Sequence, residues 1–143
     1  MDRIKVSIPV KIDFYAYLNI RITDLNYGGH VGNDVFLSLV HEARLQFLRS
    51  YGYSEMDFAG VGLIMVDAAI EFKRELTYGN EIRIGVTATG FDKIGFDIFY
   101  LIELRSGEEW VLSGKVKTGM LCFDYSTRKK VTIPAAALDK LSK

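Results

Sequence analysis

Between Thr23 and Arg49 the chain gathers Asp24, Asn26, His30, Asn33 and Glu42. Two carboxylates and an imidazole can move protons, and two side-chain amides can orient a water or donate to a carbonyl oxygen. The first four stand in a polar stretch, TDLNYGGHVGN, where Gly28 and Gly29 open backbone angles closed to other residues, so the chain can turn sharply and approach a ligand closely. Glu42 stands in the apolar run that follows. The chain has no G-x-S-x-G elbow, no phosphate-binding glycine loop and no cofactor fingerprint; two histidines and one cysteine without H-E-x-x-H predict no zinc site. The chemistry open to such a chain is acid, base and oriented amide, with no metal and no resident cofactor expected.

The element that must position these groups is a helix. Phe36, Leu39, Val40, Ala43, Phe47 and Leu48 recur at helical spacing, and Val35, Leu37 and Leu45 widen the stripe, which predicts a helix buried over most of its circumference. Gly32, Asn33 and Asp34 are its N-cap candidates, Asn33 foremost, and Tyr51-Gly52 its stop. Within this pattern Glu42 falls among core residues, whereas His41, Arg44 and Arg49 suit the wetter side. His41 and Glu42 are adjacent and face apart, so they are not read as a metal pair. A helix start carries free N–H groups and partial positive charge, which suits an anion or a carbonyl oxygen turning negative.

Strands surround the helix. Residues 10 to 23 alternate, with Val10, Ile12, Phe14, Ala16, Leu18, Ile20 and Ile22 on one face and Asp13, Tyr15 and Tyr17 among those on the other. Residues 62 to 76 form a second strand, with Ile64, Val66, Ala68, Ile70 and Phe72 opposite Leu63, Met65, Asp67, Ala69 and Glu71. Its first half is apolar on both faces, which calls for a partner subunit or for cover by the 52–61 connector. Three further strands, at 80–90, 94–105 and 109–124, follow through turns at 78–80, 90–93 and 106–108, with Trp110, Leu112, Val116, Met120 and Cys122 on one face of the last. Pro134 opens a short C-terminal helix. Short connections make the strands antiparallel neighbours, which gives a single α+β domain over residues 1–143.

Composition narrows the partners. Eighteen basic and eighteen acidic residues cancel, so nothing points to nucleic acid, and no apolar run approaches a membrane span. A lone Cys122 and an N-terminus without a signal-peptide core predict a cytoplasmic protein.

The run from Asp24 to Asn33, D-x-[DN]-x-x-G-H-V-x-N, resembles the opening of the hotdog-fold acyl-CoA thioesterases, in particular the 4-hydroxybenzoyl-CoA thioesterase-like branch; His41-Glu42-Ala43-Arg44 and the segment IEFKRELTYGNEI at 70–82 are similar to that branch as well. The resemblance spans roughly residues 10 to 135. It implies a five-stranded antiparallel sheet wrapped around one long central helix, association as a homodimer or homotetramer, and an acyl-CoA thioester bound at a subunit interface with its carbonyl at the helix start. Coenzyme A is then part of the substrate and not a cofactor. It further implies substrate binding by Tyr27, Gly29, Val31, Gly32 and Asn33.

One position departs from the branch: the aspartate usually found two residues after Asp24 is Asn26 here. An amide cannot take a proton or form an acyl anhydride, though it can orient water. The base is then Glu42 or His30, with Asp67 from a neighbouring subunit and Asp24 after a loop shift as the other candidates. Two rival readings keep the fold: a non-hydrolytic module that binds acyl-CoA or acyl carrier protein, and an enoyl-CoA hydratase or dehydratase.

Overall fold

The computed structural model describes residues 1–9, 11–12 and 14–143; Val10 and Asp13 of the first expected strand lie outside the described residues. Strand β1 (Phe14–Asn19) leads through a 3-10 turn (Ile22–Asp24) to helix α1 (Val35–Ser50), after which come β2 (Gly62–Phe72), β3 (Glu81–Thr89), β4 (Gly95–Ser106), β5 (Glu109–Asp124), the two-residue β6 (Lys129–Lys130) and helix α2 (Ala135–Leu141). The sheet order is β1-β3-β4-β5-β2, with β6 beside β5, and every pair is antiparallel. Helix α1 lies on the inner face. Phe36, Val40, Ala43, Phe47 and Leu48 pack there against Ile82, Ile84, Ile98, Ile102 and Val116.

Alternation places most inner residues correctly, and two bulges decide where it does not. Val66 is unpaired between Met65, opposite Met120, and Asp67, opposite Gly119. One extra residue reverses the parity of a strand. Leu63 and Met65 therefore share the inner side with Ala68, Ile70 and Phe72, against the expected grouping. In β5 the extra residue is Ser113, because Gly114 faces Ile102 while Leu112 faces Glu103. Trp110 and Leu112 consequently leave the face of Val116, Met120 and Cys122. Trp110 lies outside, where its ring faces the Arg83 guanidinium at 4.6 Å. The first strand is also shorter than expected, and Ile22 is exposed.

The helix is not enclosed all round. Ser38, His41, Glu42 and Arg49 are exposed, so Glu42 stands in solvent, where its Oε2 accepts from Gln46 Nε2 at 2.8 Å. Arg44, expected on the wet side, is buried. It donates through Nε to Glu55 Oε2 (3.0 Å) and through Nη1 to Tyr100 Oη (3.1 Å), and Tyr100 Oη lies 2.7 Å from Thr118 Oγ1. Glu55 also meets His41 Nε2 at 2.6 Å. A buried cation is tolerable only with such partners. Burial pushes the Tyr100 phenol above its ordinary pKa. It therefore stays neutral and bridges helix to sheet. Glu55 belongs to the 52–61 connector, which also takes the Leu63 N–H through the Glu55 carbonyl at 2.7 Å and so covers the start of β2. Cys122 is buried, and burial raises its thiol to about 11.

Tyr100→Phe removes the hydroxyl shared by Arg44 and Thr118 and leaves two buried groups short of a partner. Chemical denaturation should show a loss of about 1–3 kcal/mol; no loss would mean that the bridge carries no stability.

Candidate active site at the start of the long helix

The loop before α1 is a small hairpin held by its own backbone. Leu25 bridges Val31, and the Asn26 N–H donates to the His30 carbonyl at 2.8 Å. The Asn26 side chain closes the turn: its Oδ1 accepts from the Gly28 N–H (2.8 Å) and, longer, from the His30 N–H (3.4 Å). Gly29 has a φ of 82°, the left-handed region that favours glycine. Tyr27 is fully exposed at the tip.

Asp24 lies at the base of the hairpin, buried. Its Oδ2 accepts from the Arg21 N–H at 2.8 Å, and its Oδ1 stands 3.6 Å from the Arg21 guanidinium.

The next segment fixes where the helix begins. The Val31 N–H donates to the Leu76 carbonyl (2.9 Å), and His30 bridges Thr77. The turn at 77–80 is anchored in return by the Gly79 N–H to the Ile20 carbonyl (3.0 Å) and the Ile20 N–H to the Asn80 carbonyl (2.9 Å). Helix α1 starts without a side-chain cap: neither Asn33, the expected cap, nor Asp34, which occupies the cap position, bonds to the first turn through its side chain. Among the described residues nothing accepts from the N–H groups of Asn33 and Asp34, whereas the Leu25–Val31 bridge turns the Gly32 N–H toward the Asp24 carbonyl. Asp34 folds over Gly32, where a Cβ would sit 2.6 Å from Asp34 Oδ1 and would displace that side chain.

Beside this helix start lies a hollow of about 190 Å³, lined by Val31, Asn33, Phe36 and Phe72 with Lys73, Arg74 and Glu75. The Phe36 and Phe72 rings meet edge to face, centroids 5.1 Å apart. Phe36 also packs over Gly114 of β5, 3.4 Å from where a Cβ would stand. The His30 imidazole Nε2 is 3.5 Å from Glu75 Oε2. The site thus combines two unclaimed N–H donors at the positive end of a 16-residue helix, a histidine beside a carboxylate, and aromatic walls.

Of the residues singled out in the sequence, Val31 and Asn33 line this hollow and His30 and Gly32 adjoin it. Asp24 and Glu42 line a different one of about 320 Å³ on the helix flank, together with Asn19, Arg21 and Ser38. Asp67 sits on the outer face of the sheet, where its Oδ1 accepts from Lys117 Nζ and the Gly119 N–H, each at 2.8 Å; Lys117 holds this carboxyl below the usual carboxylate range. Glu75 escapes a sequence reading. It falls between the end of β2 and the 77–80 turn, where no periodicity assigns a face, and only the hairpin's docking on that turn reveals its partner.

A sequence profile of the thioesterase-like superfamily matches residues 20–141. A 1,4-dihydroxy-2-naphthoyl-CoA hydrolase of Microcystis aeruginosa is 30% identical over 118 residues, 80% of this chain and 83% of that one. The crystal structure of a 1,4-dihydroxy-2-naphthoyl-CoA thioesterase from Synechocystis superposes with a TM-score of 0.77 at 24% identity, over 91% of this chain and 98% of that one. A Staphylococcus aureus protein solved in complex with CoA superposes at 0.80 with 14% identity, over 95% and 86% of the two chains. The expected α+β hotdog architecture, one long helix against the sheet, is the observed one; the sheet adds β6 to its five long strands.

The Asn26 side chain acts here as a turn-closing acceptor. Asn26→Asp keeps that oxygen and should melt with the parent chain, whereas Asn26→Ala loses it and should be less stable by about 1 kcal/mol. Equal melting of all three would remove the structural role.

Proposed function

This chain belongs to the thioesterase-like superfamily and is a thioester hydrolase, and from that premise we propose that it cleaves acyl-CoA at the start of α1. The observation that carries the reading is the pair of free N–H groups at Asn33 and Asp34 beside the His30–Glu75 pair. The thioester carbonyl oxygen accepts from those N–H groups. They act on the charge that develops as the carbonyl carbon becomes tetrahedral. His30, oriented by the Glu75 carboxylate, takes a proton from the attacking water. Water adds to the carbonyl carbon to give the tetrahedral oxyanion, which collapses with cleavage of the C–S bond, and the proton held by His30 passes to the departing sulfur, giving free acid and coenzyme A. The aromatic pair Phe36–Phe72 and the naming of the Microcystis relative both favour a flat aromatic acyl group.

The site is completed by a second copy of this chain. Strand β2 is an edge of the sheet and carries exposed apolar side chains, Met65 at 45%, Val66 at 51% and Phe72 at 42%. An unpaired edge with apolar flanks is a template for another strand. An antiparallel β2–β2 pairing satisfies the edge and brings the partner against Phe72, at the mouth of the hollow. A second reading keeps the reaction and moves it to the flank hollow, which is favoured by the presence there of two carboxylates, Asp24 and Glu42. Localisation in the cytoplasm fits a CoA-dependent reaction, and no helix is long and apolar enough to cross a membrane.

A panel of aromatic, short and long acyl-CoA thioesters with thiol detection tests the activity, and no release above background from any of them would overturn it. His30→Ala should lower kcat roughly a hundredfold or more, Glu75→Gln by a smaller factor, and Glu42→Gln should leave kcat unchanged. The opposite ranking would move the chemistry to the flank hollow. Val66→Glu, which places like charges on both copies of the seam, should convert a dimer to monomer in light scattering; an unaltered oligomer would put the interface elsewhere.

A further inference from the structure

The N-terminal segment lies across the outer face of the sheet. Ile12 packs over Gly85 of β3, 2.7 Å from where a Cβ would stand. Six residues earlier, the Val6 N–H donates to the Glu71 side chain of β2 at 2.9 Å, and Val6 is buried. Gly85 and Glu71 belong to one cross-strand row, Gly85 facing Leu101 and Leu101 facing Lys115, which faces Glu71. Ile12 and Val6 therefore meet that row at its β3 and β2 ends, and the described residues before Val6 lie beside β2 as a strap. Beyond Val6 it forms, with the end of β2, a hollow of about 390 Å³ lined by Arg3, Ile4, Lys5, Glu71, Phe72 and Lys73.

Two features of this hollow point to a ligand. First, it shares Phe72 and Lys73 with the hollow at the start of α1, so a molecule leaving one enters the other over the same two side chains. Second, among the described residues two of its cations have no carboxylate partner: Arg3 and Lys5 line it beside the Lys73–Glu71 pair, and Arg74 lines the neighbouring hollow. The one carboxylate among its lining residues, Glu71, is already engaged by Lys73 Nζ at 2.7 Å and by the Val6 N–H; Lys73 foremost holds it below its usual range. The rim is rigid. The N–H groups of Lys73 and Arg74 both donate to the Ser113 carbonyl, at 2.8 and 3.0 Å, and Ser113 Oγ donates to the Arg74 carbonyl at 2.8 Å. The bulge in β5 thereby fixes the backbone of both residues.

We propose that this strap hollow is the seat of the phosphates of the coenzyme A portion of the substrate, with Arg3 and Lys5 as the phosphate-binding groups. The inference rests on the acyl-CoA reading above. The pantetheine arm is a flexible, mostly neutral chain that passes over the apolar face of Phe72. The diphosphate and 3′-phosphate require guanidinium and ammonium groups at its far end. Arg3 and Lys5 bind the nucleotide and stand apart from the reacting carbonyl, so they act on substrate capture.

The test compares an aromatic acyl-CoA with the same acyl-pantetheine, which lacks the nucleotide, for the parent chain and for the double variant Arg3→Glu/Lys5→Glu. The parent should prefer the CoA thioester, and the variant should lose about tenfold of that preference in kcat/KM, through KM. The charge-retaining double variant Arg3→Lys/Lys5→Arg should keep most of it. A preference unchanged by charge reversal, a parallel loss on both substrates, or a parent without preference would each overturn the phosphate seat while leaving the hydrolase intact. A parent that cleaves neither thioester would instead overturn the reading on which the seat rests.

Discussion

The hydrogen bond from the Val31 N–H to the Leu76 carbonyl, 2.9 Å long, decides where the long helix can begin. Val31 and Leu76 are both buried, so the bond is shielded from water and each group would be left unsatisfied without the other. It ties the end of the glycine-bearing hairpin to the segment that follows β2. The uncapped first turn of α1 and the Glu75 carboxylate are thereby set on either side of one hollow. The remaining sheet contacts serve this junction: β1 and β3 hold the 77–80 turn through Ile20, and the apolar face of α1 fixes the direction in which its N-terminal dipole points.

Much of this was legible in the residues. Strict alternation over 80–90 and 94–105 located β3 and β4 because one face of each packs on the helix as a continuous apolar row, and the helical spacing from Phe36 to Leu48 located α1 because only one stripe is needed by the core. What alternation cannot register is an inserted residue. Val66 and Ser113 each reverse a strand, and neither is a glycine or proline that would mark the break. The exchange of Arg44 and Glu42 between core and solvent has the same origin. Periodicity treats both as polar, and only the arrival of Glu55 and Tyr100 from distant parts of the chain makes the arginine the one that can be buried.

The candidate site divides along similar lines. The hairpin, the helix start and His30 were visible because glycine, asparagine and histidine cluster in ten residues. The partner of His30 was not, since Glu75 lies in a stretch without period. The loss of an aspartate at Asn26 directed attention to other carboxylates in the neighbourhood. In the structure Asn26 has a full structural occupation, and the carboxylate nearest the imidazole comes from the opposite end of β2. Recognition and chemistry then share one short segment. Residues 72–75 supply an aromatic wall and the acid that orients the histidine, with the backbone of Lys73 and Arg74 held by the β5 bulge.

The most direct measurement is a crystal structure with an acyl-CoA analogue in which a methylene replaces the thioester sulfur, so that the carbonyl is retained and cannot be cleaved. The account predicts a carbonyl oxygen within hydrogen-bond distance of the N–H groups of Asn33 or Asp34, with the His30 ring on the side from which water attacks. A carbonyl seated instead in the flank hollow between Asp24 and Glu42, with the first turn of α1 untouched, would contradict it.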